Sequence, residues 1–173
     1  MKTIILTFLL GSAVTVLFAS VLVHPAGPVK ARSTTEPLLS GADIDPPVLT
    51  ELERSCQNCH SDRTEWPWYS YIAPVSWLVE SDVGRARGRM NLSHWNEYTA
   101  EKKGEMLARI GAIVRSGEMP PARYTVIHAN AKLSSVEREQ IYEWAHAERL
   151  ALKSAVPATV GTGRRPDEGD AHP

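Results

Sequence analysis

Hydrophobic and polar positions divide this chain into stretches of very different character. Thr3 to Val23 carries no charged side chain and follows Met1-Lys2 directly. At roughly 20 apolar residues it reaches the length of a membrane-spanning helix, beyond the usual signal-peptide core of about 7–15. No clean small-residue cleavage site follows at once, so residues 1–23 read as an uncleaved N-terminal anchor, with a removed signal peptide as the alternative. Lys2 keeps the start of the chain cytoplasmic, although Lys30 and Arg32 weaken that asymmetry. Either way, the rest of the chain crosses the membrane. Residues 24–44 hold Pro25, Gly27, Pro28, Pro37 and Gly41 and read as an extended tether. Residues 153–173 lack aromatics and apolar periodicity and read as a disordered tail.

Between them, residues 45–152 are enough for one small domain, and their pattern is helical. Asp45-Pro46-Pro47 opens a helix, since proline fits a first turn, and Leu49, Leu52, Cys56 and Cys59 then recur at helical steps on one face. Trp66 to Pro74 is an aromatic stretch punctuated by proline. Pro74 starts a second helix with Val75, Leu78 and Val79 expected on its buried side. Thr99 caps a third, with Met106, Ile110, Ile113 and Val114 as its apolar stripe and Ser116-Gly117 as its end. Ser134 with Glu137 three residues on is a capping box for a last helix, whose inner face is Ile141, Trp144 and Ala145. No stretch shows sustained alternation with period two, so the expected fold class is all-α.

Composition narrows the function. Across 173 residues, 19 Lys and Arg balance 20 Asp and Glu, for a formal charge of −1. That balance gives no electrostatic footprint for nucleic acid. Two cysteines exclude a multi-disulfide scaffold. Both lie in one pentapeptide, Cys56-Gln57-Asn58-Cys59-His60.

C-x-x-C-H is the attachment signature of haem c. On a helical turn, positions i and i+3 share a face, so two thiols there can reach the vinyl groups of adjacent haem rings. His60, next along the turn, supplies the proximal ligand to iron. Three other readings exist for a C-x-x-C pair. A thioredoxin-type redox disulfide requires a strand–helix context that this pattern lacks. A structural zinc site requires four ligands, usually from two such pairs. A plain structural disulfide is the third.

A haem held by Cys56, Cys59 and His60 has one axial position open, and methionine or histidine fills it in electron carriers. Met106 belongs to an apolar helix stripe and reads as core packing. Met90 follows Arg85, Arg87 and Arg89 and has no evident path to iron. Met119 lies in Ser116-Gly117-Glu118-Met119-Pro120-Pro121, where two prolines stiffen the backbone just past a helix end. Met119 is therefore the expected distal ligand and His128 its rival, while His94 and His146 read as surface or packing residues. Trp66, Trp68, Tyr69, Tyr71, Trp77 and Tyr124 are candidates to wall the ring, and Arg63, Arg85 and Arg123 to meet its propionates.

The run CQNCHSDRTEWPWYSYIAPVSW, from Cys56 to Trp77, resembles the bacterial haem-binding domain family of small exported, cytochrome c-like proteins. So do Gly117-Glu118-Met119-Pro120-Pro121, Tyr124, His128, Ala131-Lys132-Leu133-Ser134 and Glu137-Arg138. The resemblance spans roughly Leu49 to Arg149. It implies a mono-haem helical fold of cytochrome c type. It also implies Cys56 and Cys59 as covalent attachment points, His60 as proximal ligand and Met119 as distal ligand. Haem binding defines the family, so the resemblance supplies no reaction.

The function expected from these features is single-electron transfer by a haem c protein, not an enzyme, on the periplasmic side of the bacterial inner membrane. Its partners would be redox proteins at that membrane. The alternatives are a peroxidase-like enzyme or sensor with an open sixth position, and a haem-bearing accessory subunit of a membrane complex.

Overall fold

The computed structural model describes residues 1–22, 34 and 36–155, and every regular element among them is helical. The expected tail lies outside the described residues from 156 on, and most of the expected tether lies outside them as well. α1 (Lys2–Leu22) is the uncharged N-terminal run, its apolar side chains almost all exposed. α2 (Pro46–Ser55) opens on its two prolines after Asp45. α3 (Gln57–His60) is a single turn carrying the cysteine–histidine motif. α4 (Val75–Arg89), α5 (Ala100–Arg115), the short α6 (Ala122–Thr125) and α7 (Ser135–Ala155) follow. Three 3₁₀ turns, Trp68–Tyr71, Leu92–Glu97 and Ala129–Ala131, link them.

The helix boundaries follow their capping residues. Thr99 accepts a hydrogen bond from the Lys102 amide at 3.2 Å and starts α5. Ser134 and Glu137 exchange bonds of 2.7 and 3.2 Å, so the capping box starts α7 where the pattern places it. α7 then runs through Ala155, three residues into the segment expected to be disordered.

α5 and α7 form the spine of the domain. Met106, Leu107, Ile110 and Val114 meet Ile141, Trp144 and Ala145, with Leu52, Leu92 and the fully buried Trp95 closing the core. Gly111 lets the two helices approach, since a Cβ there would lie 3.2 Å from the Tyr142 ring. The core also begins earlier than composition indicates. Leu38 and Leu39, inside the proline-bearing 24–44 stretch, are 3% and 1% exposed, and the Leu39 amide donates to the Leu92 carbonyl at 3.0 Å. Proline marks an extended path there, but two consecutive leucines can still enter a core.

α4 departs from its expected orientation. Val75 and Leu78 face solvent at 42% and 55% exposure, while Ser76, Glu80, Val83 and Arg87 are buried. The cause is polar. The Arg87 guanidinium donates to the Ser61 carbonyl at 2.8 Å and to Thr64 Oγ1 at 2.9 Å, and these bonds turn the Arg87 face of the helix inward.

Candidate haem-attachment site

The motif is built where α2 gives way to α3. The Cys56 amide still closes the last turn of α2 on the Leu52 carbonyl, at 2.8 Å. The Cys56 carbonyl then accepts from both Cys59 (3.2 Å) and His60 (3.0 Å), which fixes the thiols one turn apart with the imidazole next in line. Ser61 ends the turn in an extended conformation. Two side-chain bonds staple the loop that follows: Thr64 Oγ1 to the Asn58 carbonyl at 2.7 Å, and the Glu65 amide to Asn58 Oδ1 at 2.9 Å.

This donor set fits a covalently held haem. Both cysteines are free thiols and half-buried. The Nδ1–H of His60 donates to the Met90 carbonyl at 3.1 Å. That bond orients the ring in the tautomer an iron ligand at Nε2 needs, and the Ala86 carbonyl is a second backbone acceptor for the imidazole. Burial pushes the His60 pKa down despite the opposing carbonyl bonds, which keeps the imidazole neutral. Burial also pushes Cys56 up to about 12, with Cys59 adding to the rise, and raises Cys59 itself, with Asp82 adding to it. A redox-active C-x-x-C pair needs a lowered thiol pKa, so these surroundings count against the thioredoxin-type alternative.

The aromatic 3₁₀ turn and the segment after Met119 close on this motif. Asn58 Nδ2 donates to Tyr124 Oη at 3.1 Å, Tyr124 stacks on His128 with centroids 4.3 Å apart, and His128 Nε2 meets Tyr69 Oη at 2.5 Å. Arg123 pairs with Asp82 of α4 at 3.1 Å. Burial raises the pKa of both Tyr69 and Tyr124; for Tyr124 the bond from Asn58 opposes the rise, and for both rings the neighbouring Cys59 adds to it.

The two candidate distal ligands are held differently. The Met119 amide donates to the Ile113 carbonyl at 3.2 Å, just past the positive φ of Gly117 (79°), and its side chain packs half-buried against the core that Cys56 and Met90 also touch. His128 already spends Nε2 on Tyr69, so ligating iron through that atom would break the bond. Met106 is 5% exposed in the core, as its stripe position indicates.

Several other expected wall and propionate residues are exposed or ion-paired. Trp68 is 76% exposed and Tyr71 56%, so neither encloses a ring in this arrangement. Arg63, Arg85 and Arg123 each pair with a carboxylate: Glu53, Asp82 and Asp82 respectively. Arg123 still lies close enough to the motif for its charge to act on the Cys59 thiol, so its ion pair with Asp82 stands beside the site.

Sequence reasoning missed the polar cluster just behind His60. Asp62 accepts from Asn91 Nδ2 at 3.0 Å, contacts His94 Nε2 at 2.8 Å and lies 3.4 Å from Arg87 Nε. Its own amide donates to Ser93 Oγ at 3.0 Å. Asp62 thereby holds Asn91, the neighbour of the residue whose carbonyl orients His60. The partners lie about 30 positions away along the chain, where no local pattern announces them.

Comparison with known proteins agrees with haem binding. A cytochrome c peroxidase, Ccp, of Escherichia coli (strain K12) is 31% identical over 100 residues, which are 56% of this chain and 22% of that protein. This chain therefore corresponds to less than a quarter of that relative's length. No solved structure matches. The haem-binding domain family matches residues 15–147, from the last turns of α1 to well inside α7. The chain belongs to the haem-binding domain family.

Proposed function

We propose that this protein is an exported, membrane-anchored, mono-haem c-type cytochrome that passes single electrons to and from redox proteins at the membrane. The observation that carries the reading is the turn itself: two free thiols at i and i+3, followed by an imidazole whose Nδ1–H is committed to the Met90 carbonyl. Cys56 and Cys59 would form the two thioether bonds, His60 would hold the proximal position and Met119 the distal one. Bound there, the group supplies a one-electron iron couple.

The chain's own part is to fix ligands and polarity. The Met90 carbonyl draws on the His60 N–H and strengthens Nε2 as a donor. Tyr69, Tyr124 and the turn after α6 cover the motif on one side, and limited access of water tunes the potential. Asn58 ties that cover to the motif turn. The apolar helix α1, long enough to cross a bilayer, supports the anchor and an outward-facing domain. Tethering raises the effective concentration of membrane-bound redox partners.

A second reading is a peroxidase-like enzyme, favoured by the similarity to part of a protein named for that activity and by the imidazole of His128 beside the motif. The two readings part at the sixth coordination position. The protein is to be expressed in a host able to attach haem c, then its intact mass and its absorption spectrum with and without cyanide recorded. One covalent haem and a spectrum indifferent to cyanide support the electron carrier. Ready cyanide binding to the resting iron moves the reading to the enzyme. A colourless protein with free thiols, from a host that matures other c-type cytochromes, overturns both.

A further inference from the structure

The first half of α4 presents its faces the wrong way round for a helix in water. It buries Ser76 and Glu80 against the domain and exposes Val75 and Leu78, the reverse of the usual amphipathic arrangement, whereas the second half buries Val83 beside Arg87 and exposes Arg85. Ile72, an extended residue just before the helix, is also exposed, at 39%. The preceding 3₁₀ turn adds Trp68 and Tyr71, at 76% and 56% exposure. From Trp66 to Val79 there is no charged side chain. An exposed apolar patch of this kind marks a surface that meets something other than water.

The course of the chain indicates what it meets. α1 is exposed along its apolar length, yet its last turns touch the domain: Ser20 is 7% exposed, and its Oγ accepts a hydrogen bond from the Ala73 amide at 2.6 Å. Ala73, 5% exposed, sits in the middle of the patch, between Ile72 and Val75. A spanning α1 ends at the outer headgroup layer, so the residues around Ala73 are brought to that layer with it. Their chemistry matches the location, because Trp and Tyr concentrate at the membrane–water interface while aliphatic side chains enter the acyl boundary.

We propose that Trp68, Tyr71, Ile72, Val75 and Leu78 form a bilayer-docking face that seats the haem-binding domain on the lipid surface beside its own anchor. The inference rests on α1 remaining uncleaved. It deepens the proposed function by fixing orientation: the Tyr69–His128 edge of the site lies next to the seated face and is held close to the membrane.

The test uses the full-length, haem-loaded chain in vesicles of phosphatidylethanolamine and phosphatidylglycerol. The photo-crosslinker p-benzoylphenylalanine is placed at Trp68 or Leu78, or at Val136 on α7, which is comparably apolar and 66% exposed. Alkaline extraction of the same vesicles reports independently whether α1 spans. Lipid adducts at positions 68 and 78, several-fold above position 136, with the chain resistant to extraction, are expected. Resistance to extraction with lipid adducts no higher at 68 and 78 than at 136 overturns the docking face and leaves the anchor standing. Adducts at 68 and 78 to a protein instead of lipid, in native membranes, overturn it in favour of a partner surface. Release by alkali overturns the anchor, and the docking face as argued from it.

Discussion

Replacing Asp62 with asparagine tests whether the cluster behind His60 is structural. The side chains of Asp62 and Arg87 are 7% and 4% exposed, and Arg87 Nε lies 3.4 Å from the carboxylate. Breaking a buried pair by neutralising one partner costs about 3–5 kcal/mol, because the remaining charge is left in a poor solvent. Arg87 keeps the Ser61 carbonyl and Thr64 Oγ1 among its partners, so the lower end applies and the expected loss is about 3 kcal/mol. That is a large share of the 5–15 kcal/mol typical of a folded domain. The assay is urea unfolding of the full-length, haem-loaded chain in a non-ionic detergent, followed by far-ultraviolet circular dichroism.

The same substitution should change the pH profile. Burial opposes the Asp62 charge, but hydrogen bonds from His94 and Asn91 and the Arg87 charge outweigh it and hold the pKa below the usual value. Its contribution is present above the unfolded carboxylate value of about 3.9 and lost as pH falls through the lower folded one. His94 shifts upward, first through its bond to Asp62 and then through Glu97, with 2.8 Å contacts on both ring nitrogens that only the imidazolium can satisfy as a double donor. Its contribution is full below about 6.5 and lost as pH rises through the higher folded value. The Asp62–His94 contribution should therefore be greatest between about pH 4 and 6.5 and fade above it, so the stability difference between the natural chain and Asp62→Asn should narrow on that alkaline side. A cost below about 1 kcal/mol, the range of exposed pairs, with an unchanged pH profile, refutes the reasoning.

What the sequence made legible is what depends on near neighbours. The capping box at Ser134 and Glu137, the Thr99 cap and the Met106–Val114 stripe are local patterns, and the structure places helix boundaries and core where they point. The motif is equally local, since one turn of backbone sets the spacing of its thiols. Contacts across some thirty residues left no such trace. The Met90 carbonyl on His60 and the Asn91–Asp62 bond arise only once α4 and the turn after it fold back over the motif. α4 shows the same limit from the other side. Hydrophobicity alone points Val75, Leu78 and Val79 inward, but the hydrogen-bonding demand of Arg87 sets the rotation of the helix, leaving Val75 and Leu78 exposed and Val79 half-buried. The exposed row left over carries the docking face.

The remaining predictions concern the Met119 loop. Gly117 has φ of 79°, so Gly117→Ala should cost about 1 kcal/mol in the urea assay, with the Arg138 guanidinium displaced from the 2.6 Å position it holds against the new Cβ. No loss would show that the turn relaxes without strain. Met119→Ala should leave the haem attached, as intact mass reports, while altering the axial-ligand spectrum and lowering the potential, since a thioether ligand raises it. Met119 is placed by a backbone bond to Ile113 and holds its side chain only by packing against the core, whereas His128 must first give up the Tyr69 hydroxyl at Nε2. An unchanged spectrum in Met119→Ala, with a changed one in His128→Ala, would mean that the iron draws His128 away from Tyr69. The stacked Tyr124 ring would then steady a ligand instead of covering one.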